Sequence, residues 1–329
     1  MHTSFNALVT RNQDGQVRSA LEFLTTDRLS PGEVTLRTLY AGVNYKDCLS
    51  LLGKARIISS YPRIPGIEAV GEVIESRTAD FSPGDTVLVH GFQTGIDFDG
   101  GLSEVMRVPA GHLQHVPEGL TPQQAAVIGV PGFTVAMALE RFETWGLGPD
   151  DGMVAVTGAG GAVGRLAIHI LSRAGYRVAA ITRNLAHADA LRALGACDVL
   201  DASLALTPAR PLEKARFAAA IDNVGGNTLA WLLRSMQDGG LVASVGNAAG
   251  NSFDGSVLPF IMRRVHLFGV VANAPWDERR RLWHRLAHAW APDFAALAPY
   301  VQYIRLSDVL PHAHRQLAGA TSGRTIVAF

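Results

Sequence analysis

The sequence predicts an α/β protein with a β-rich, barrel-like part, a doubly wound parallel sheet, and a short C-terminal return to the first part. Three observations predict it. Residues 1 to 120 are cut into short extended pieces by Gly and Pro. From Met153 onward, apolar strand-like runs alternate with helical stretches. The last segment, 298–329, reverts to short strands. At 329 residues the chain exceeds one average domain. The expected division is 1–120, 121–297 and 298–329.

In the first part, Val34–Ala41 alternates as a half-buried strand does, and Val70–Glu75 reads as another, leaving Gly66 in a turn. Pro83-Gly84-Asp85 is a tight turn into Thr86–Val89, and Leu102–Val108 is a further strand. Thr121 is placed as a helix N-cap with Pro122 at the first position. Pro131-Gly132 punctuates, and Phe133–Trp145 continues as a helix. Alternating elements then follow at 153–157, 165–174, 177–182, 186–194, 197–200, 217–222, 227–236, 240–245 and 265–271. In Trp276–Trp290, Trp283, Leu286 and Trp290 share a helical face, with Arg279, Arg280 and Arg281 beside it as a solvated face or an anion patch.

Charge is balanced, with 29 basic and 29 acidic residues, which gives no reason to expect nucleic acid or an anionic membrane as partner. Met1–Leu8 lacks a basic region followed by an apolar core, and no run is read as long enough to span a bilayer. Two cysteines, Cys48 and Cys197, cannot build a cysteine-rich zinc site. A cytoplasmic protein is expected.

The stretch Val154–Gly164 organises the chain. A buried strand, Val154-Ala155-Val156-Thr157, runs into a glycine turn and then a helix beginning near Arg165. Gly158, Gly161 and Gly164 give the spacing G-x-x-G-x-x-G, with Gly160, Ala162 and Val163 between them. Glycines permit a sharp turn and close approach to a pyrophosphate, and the helix N-terminus offers free N–H groups and a positive dipole end. A dinucleotide site is therefore expected. At the end of the second strand, where NAD sites carry an acid, stand Thr182, Arg183 and Asn184. Nothing there repels a 2′-phosphate. Arg183 can pair with one and Thr182 can donate a hydroxyl, so the expected cofactor is NADP(H).

Several stretches together carry a resemblance. They are Asn44-Tyr45-Lys46-Asp47, Ile64-Pro65-Gly66-Ile67, Gly100-Gly101-Leu102, Val156-Thr157-Gly158, Ala220–Gly225, Pro259-Phe260-Ile261 and Gly323-Arg324-Thr325. Over essentially its whole length the chain resembles the medium-chain dehydrogenase/reductase superfamily. It is most similar to the acryloyl-CoA reductase subgroup of the zinc-free, quinone oxidoreductase-like branch. The resemblance implies a GroES-like catalytic domain, a Rossmann cofactor domain and a homodimer. It also implies that Asn223 borders the nicotinamide ribose, that Asn247 borders the nicotinamide, and that Ile261 and Ala272 flank the ring. Tyr45 is implied near the nicotinamide, and Arg324 near the cofactor or a substrate phosphate. Zinc-using relatives carry a Cys near this Asp and a Gly-His-Glu. Here Ile67 stands in Gly66-Ile67-Glu68, Cys48 follows Asp47, and no metal is expected.

Without a metal, the expected reaction is reduction of an activated C=C bond by NADPH, in acryloyl-CoA or a similar thioester. Tyr45 and Lys46 are the catalytic candidates, as donor to the carbonyl oxygen or proton source and as the charge beside it. Asp47 is expected to hold their loop by hydrogen bonds. Lys54, Arg56, Arg263 and Arg264 are candidates for the phosphates of an acyl-CoA. His112 and His115 are read as surface or packing residues. The loop Gly91–Asp99 departs from the polar, aromatic loop of relatives. Two alternatives stand: a quinone or enone oxidoreductase, and an NADPH-binding sensor or structural protein with little turnover.

Overall fold

A computed structural model describes residues 4–206 and 210–329, so the first three residues of the N-terminal stretch lie outside it. The chain sorts into two units. One comprises the chain up to Val130 with Asn273–Pro275 and Pro299–Phe329; the other comprises Pro131–Ala272 and Trp276–Ala298.

The first unit opens with a hairpin, β1 (Ser4–Gln13) and β2 (Gln16–Thr25), joined at Asp14-Gly15. Both turn residues have positive φ, 52° and 82°, the geometry that a two-residue hairpin turn demands. β3 (Val34–Val43) is mostly buried rather than half-buried, because it pairs β4 (Glu68–Ser76) and also a later strand. Between them lies α1 (Tyr45–Leu51). β5 (Thr86–His90), β6 (Val105–Val108) and β7 (Gln114–His115) follow. The strand expected over 102–108 is shorter, since Ser103 makes only an isolated bridge to Ala7.

α2 (Pro122–Thr144) starts as expected: Thr121 Oγ1 accepts from the Gln124 N–H at 3.2 Å, and Gln124 Oε1 accepts from the Thr121 N–H at 2.8 Å. The break falls at Gly129 (φ 43°, ψ −152°) and not at Pro131-Gly132. Pro131 sits in the first turn after the break, where its missing N–H costs nothing. By length and composition alone this 23-residue run would pass for a membrane span, contrary to the sequence reading. It lies inside the protein, with 78% of its most apolar window buried, and behaves as a core helix.

In the second unit, β8 (Met153–Thr157) leads to α3 (Ala162–Arg173), which starts three residues earlier than expected. Gly164 is therefore part of the first turn of the helix. The series continues with β9 (Arg177–Thr182), α4 (Ala188–Ala193), β10 (Ala196–Asp201), β11 (Phe217–Asp222), α5 (Gly226–Ser235), β12 (Met236–Ser244), α6 (Leu258–Arg263) and β13 (His266–Gly269). Among the described residues the six strands are all parallel, in the order β10-β9-β8-β11-β12-β13. The order reverses direction at β8, so the loops after β8 and β11 meet at a topological switch point. Phe217, Trp231, Leu232 and Val242 lie in the core beneath.

α7 (Trp276–Ala287) buries Trp283 and Leu286 as expected, and Trp290 just beyond it is buried too. The arginine triplet is neither a uniform solvated face nor an anion patch. Arg279 is buried, its guanidinium 5.4 Å from the ring centroids of both Phe133 and Trp276. Arg280 pairs with Asp277, and Arg281 with Glu140. After α8 (Phe294–Leu297), β14 (Val301–Ile304), α9 (Val309–Leu317) and β15 (Arg324–Ala328) complete the first unit. Its main sheet runs β14-β15-β3-β4-β5-β7, with β6 on β3. Leu8, Val43, Leu51, Val309 and Val327 share one core, with α1 against α9.

Candidate functional site

The loop after β8 is built to receive a phosphate. Gly158 has φ 59°, a conformation that side chains with a Cβ rarely adopt. A Cβ on Gly164 would drive into the carbonyl oxygen of Gly158 and the backbone of Ala159. A Cβ on Gly160 or Gly161 would meet its neighbours only at ordinary contact distance, 3.7 Å from His187 and 3.4 Å from the Gly158 carbonyl oxygen, and Gly161 is the N-cap of α3. Ala162 and Val163 form the first turn, where backbone N–H groups have no intrahelical acceptor.

Asp222 ties the two switch-point loops together. Its buried carboxylate accepts from Thr157 Oγ1 at 2.6 Å, from the Gly225 N–H at 2.9 Å and from the Val224 N–H at 3.2 Å. Burial raises its pKa, and these three donors oppose the rise. Asn223 donates from Nδ2 to the Thr157 carbonyl at 2.7 Å, which leaves Oδ1 buried without a partner. An orphaned acceptor at this place, beside a glycine cradle, fits a dinucleotide. Asn247 follows β12 and is exposed, donating to Asn251. Ile261 is 68% exposed on α6, and Ala272 follows β13 half-buried.

At the end of β9, Arg183 is exposed. Thr182 is buried beside it, its hydroxyl accepting from the Asn184 N–H at 3.1 Å and donating to the Asn184 carbonyl at 3.4 Å.

In the first unit a buried polar network underlies Tyr45. Asp47 Oδ2 accepts from the Asn44 N–H at 2.9 Å, and Oδ1 from the Ile67 N–H at 3.0 Å. Asp47 thus holds the loop by hydrogen bonds, as the sequence suggested. Glu68 accepts from Asn44 Nδ2 at 2.7 Å, from Arg324 at 2.7 Å and from the Val130 N–H at 2.7 Å. Arg324 also donates to the Ala126 carbonyl at 2.9 Å and to Asn44 Oδ1 at 3.3 Å. The Gly129 break is what lets the Val130 N–H reach Glu68, because a Cβ there would strike both the Glu68 carboxylate and Arg324. Tyr45 (39% exposed) and Lys46 (exposed) are the first two residues of α1, between the network members Asn44 and Asp47.

Burial pushes the Asp47 pKa up to about 6; the neighbouring Glu68 charge adds to the rise and the Asn44 and Ile67 donors oppose it. A carboxyl with its folded pKa raised binds a proton more tightly when folded than unfolded. Its contribution is therefore fully present below the unfolded value and is lost as pH rises toward 6. The carbon-13 carboxyl resonance of Asp47 is expected to titrate near 6. A midpoint in the ordinary aspartate range would contradict this.

Several expectations need correction. Arg324 does not present its guanidinium at the surface for a cofactor or substrate phosphate: it is 3% exposed, its two terminal nitrogens donate to Glu68, Asn44 and Ala126, and its Nε is buried without a partner. Arg263 donates to the carbonyls of Arg234, Met236 and Glu213, so it is not available to an acyl-CoA, whereas Arg264 is exposed and pairs with exposed Asp238. Lys54 and Arg56 are exposed. His112 packs, stacked on Phe92 at 4.6 Å. Sequence reasoning missed Glu68 and Asn44 as network members. The signal was an acid and a base, Glu68 and Arg324, each at the first position of its strand, ahead of apolar residues that go into the core.

The residues present do not fit a zinc ion. Cys48 is buried, its thiol pushed up to about 12 and donating to Gln316. Both Asp47 oxygens accept backbone N–H groups, Glu68 is paired with Arg324, and Ile67 has no donor atom. Among the described residues no group of three or more His, Cys, Asp or Glu is arranged to hold a metal.

The alcohol dehydrogenase GroES-like domain family matches residues 30–118, and the zinc-binding dehydrogenase family matches residues 162–288. The acrylyl-CoA reductase AcuI of Ruegeria pomeroyi is 38% identical over 327 residues, 98% of each chain. The YhdH oxidoreductase of Salmonella enterica, solved in complex with NADP, has a TM-score of 0.94 at 37% identity, covering 98% of this chain and 99% of that one. The Bacillus subtilis protein YhfP, solved with NAD bound, has a TM-score of 0.94 at 36% identity, covering 99% and 100%. The chain belongs to the medium-chain dehydrogenase/reductase superfamily, in the acrylyl-CoA reductase and YhdH-type group, and is an oxidoreductase of that kind.

Proposed function

We propose that this enzyme uses NADPH to reduce the C=C bond of acryloyl-CoA or a similar α,β-unsaturated thioester without a metal. The observation that carries the reading is the end-to-end similarity to AcuI. The absence of a zinc donor set around Asp47 supports it, because a thioester enolate needs a hydrogen-bond donor where a ketone reductase uses a Lewis acid.

NADPH, when bound, supplies the hydride for the β carbon. Gly158, Gly160, Gly161, Ala162, Val163 and Gly164 cradle its pyrophosphate, and Arg183 meets the 2′-phosphate. Asn223, Asn247, Ile261 and Ala272 border the nicotinamide end, with Asn223 Oδ1 as a free acceptor. Tyr45 donates a hydrogen bond to the thioester carbonyl oxygen, where enolate charge builds as hydride reaches the β carbon, and a proton from solvent, which this exposed position admits, then completes the α carbon. Lys46 adds positive charge beside it. Asp47 and Asn44 fix the turn that carries both.

The test is a panel of acryloyl-CoA, crotonyl-CoA and a benzoquinone, followed at the NADPH absorbance band. The acyl-CoA substrates are expected to be turned over far more efficiently. Preference for the quinone, or tight nucleotide binding without turnover, would overturn the reading. Arg183→Ala is expected to weaken NADPH about tenfold while leaving NADH nearly unchanged, as loss of one charge-assisted contact implies. Equal loss with both nucleotides would contradict it.

We further take the enzyme to be a cytoplasmic homodimer. Among the described residues β13 is an open sheet edge, and Val257 and Met262 nearby in sequence are exposed apolar side chains, a combination that invites pairing with a second copy. Free Cys48 and Cys197 suit a reducing compartment. Sedimentation at working concentration tests the dimer.

A further inference from the structure

A cavity of about 370 Å³ in the first unit is used by nothing described so far. It lies between the β1–β2 hairpin, residues 28–31, residues 62–64 and residues 97–99. Its floor is apolar, with Val9, Leu29 and Ile64 buried and Leu24 and Phe98 beside them. Three guanidinium groups line it. Arg11 is held by Glu22 through two 2.9 Å bonds. Arg63 is held by Asp99 at 3.3 Å, Ser30 at 2.8 Å and Ser60 at 3.0 Å, and its Nε is buried without a partner.

Arg28 is different. It is exposed and has no ion-pair or hydrogen-bond partner among the described residues. The Asp99 charge is already met by the Ser30 N–H, the Ser30 hydroxyl, the Ile64 N–H and Arg63, so it does not cancel Arg28. Asp97 is the other exposed charged group on the lining. The flanking segment 48–67 carries Lys54, Arg56 and Arg63 and no acid at all. The cavity therefore offers an apolar floor, one free cation and one free carboxylate.

We infer that this cavity binds a phosphomonoester carried on a nucleoside-sized body. The base lies on the apolar floor, Asp97 accepts a ribose hydroxyl, and Arg28 meets the phosphate. Two sources share this chemistry: the 3′-phosphoadenosine end of an acyl-CoA substrate, which rests on the function proposed above, and a free nucleotide bound as a separate ligand. The first is within reach of the catalytic turn. Ile64 is three residues from Ile67, at most about 11 Å of chain, and the Ile67 N–H is bonded to Asp47, two residues after Tyr45.

The test uses adenosine 3′,5′-bisphosphate as probe, titrated calorimetrically into the protein at saturating NADP⁺ so that the dinucleotide site is filled. The wild type is expected to bind it. Arg28→Glu is expected to weaken it about tenfold or more, as reversal of a phosphate-facing charge does, and Arg177→Ala, an exposed residue at the start of β9 in the second unit, to leave it unchanged. Steady-state kinetics with acryloyl-CoA and acryloyl-pantetheine then separate the sources. A rise in KM confined to acryloyl-CoA in Arg28→Glu assigns the cavity to the substrate. Weakened probe binding with unchanged KM assigns it to a separate nucleotide. Absence of probe binding by the wild type, or equal binding by Arg28→Glu, overturns the inference. Failure to turn over acryloyl-CoA counts against the catalytic reading alone, because the titration decides the cavity without it.

Discussion

Arg324→Met is expected to lower the unfolding free energy of the first unit by about 3–5 kcal/mol, the usual result of stranding one half of a buried ion pair. The Arg324 and Glu68 side chains are 3% and 6% exposed, so water cannot take the place of the lost partner. Glu68 would keep its bonds from Asn44 and Val130 but face a buried, uncompensated charge. The Ala126 carbonyl would lose its donor as well. Glu68→Gln on the Arg324→Met background is expected to recover part of the loss, because it removes the buried charge while its single carbonyl oxygen keeps one of the two N–H donors, from Val130 or Asn44. Chemical denaturation of the three proteins checks this. A loss below about 1 kcal/mol, the range of an exposed pair, would contradict the buried-pair reading.

Tyr45→Phe is expected to lower kcat with acryloyl-CoA about 100-fold, the loss typical when one oxyanion donor is removed. The substitution deletes a single hydroxyl from an exposed ring at the start of α1, so folding should be unaffected. NADPH affinity should change little. The split between kcat and nucleotide affinity is the informative part. An unchanged kcat with weakened NADPH would assign Tyr45 to the cofactor and leave the enolate without its proposed donor.

Much of this was legible in the sequence because local chemistry and global fold agree there. The strand, glycine turn and helix around Val154–Gly164 announce themselves, since a run of buried apolar residues and a glycine-rich turn leave few alternatives. The strands at 153–157, 177–182 and 217–222 match the structure end to end. The Thr121 cap was legible because Thr121 and Gln124 bond each other across three residues. What was not legible depends on distant partners. Glu68 and Arg324 are 256 residues apart and meet only after β4 and β15 join one sheet through β3. Arg263 looked like a surface cation because no local signal shows the three carbonyls that converge on it. The Gly129 break was assigned to Pro131-Gly132 because its cause, the Glu68 carboxylate capturing the Val130 N–H, lies 62 residues away.

Reduction of the alkene is tested most directly by isotope transfer. Stereospecifically 4-deuterated NADPH, one sample labelled at each face, is incubated with acryloyl-CoA in the presence of a strong chelator, and the thioester product is read by mass spectrometry. One of the two samples is predicted to give propanoyl-CoA carrying a single deuterium at C3, at a rate the chelator does not change. A product with no deuterium at C3 from either sample, or turnover that stops with chelator and returns with added zinc, would contradict it.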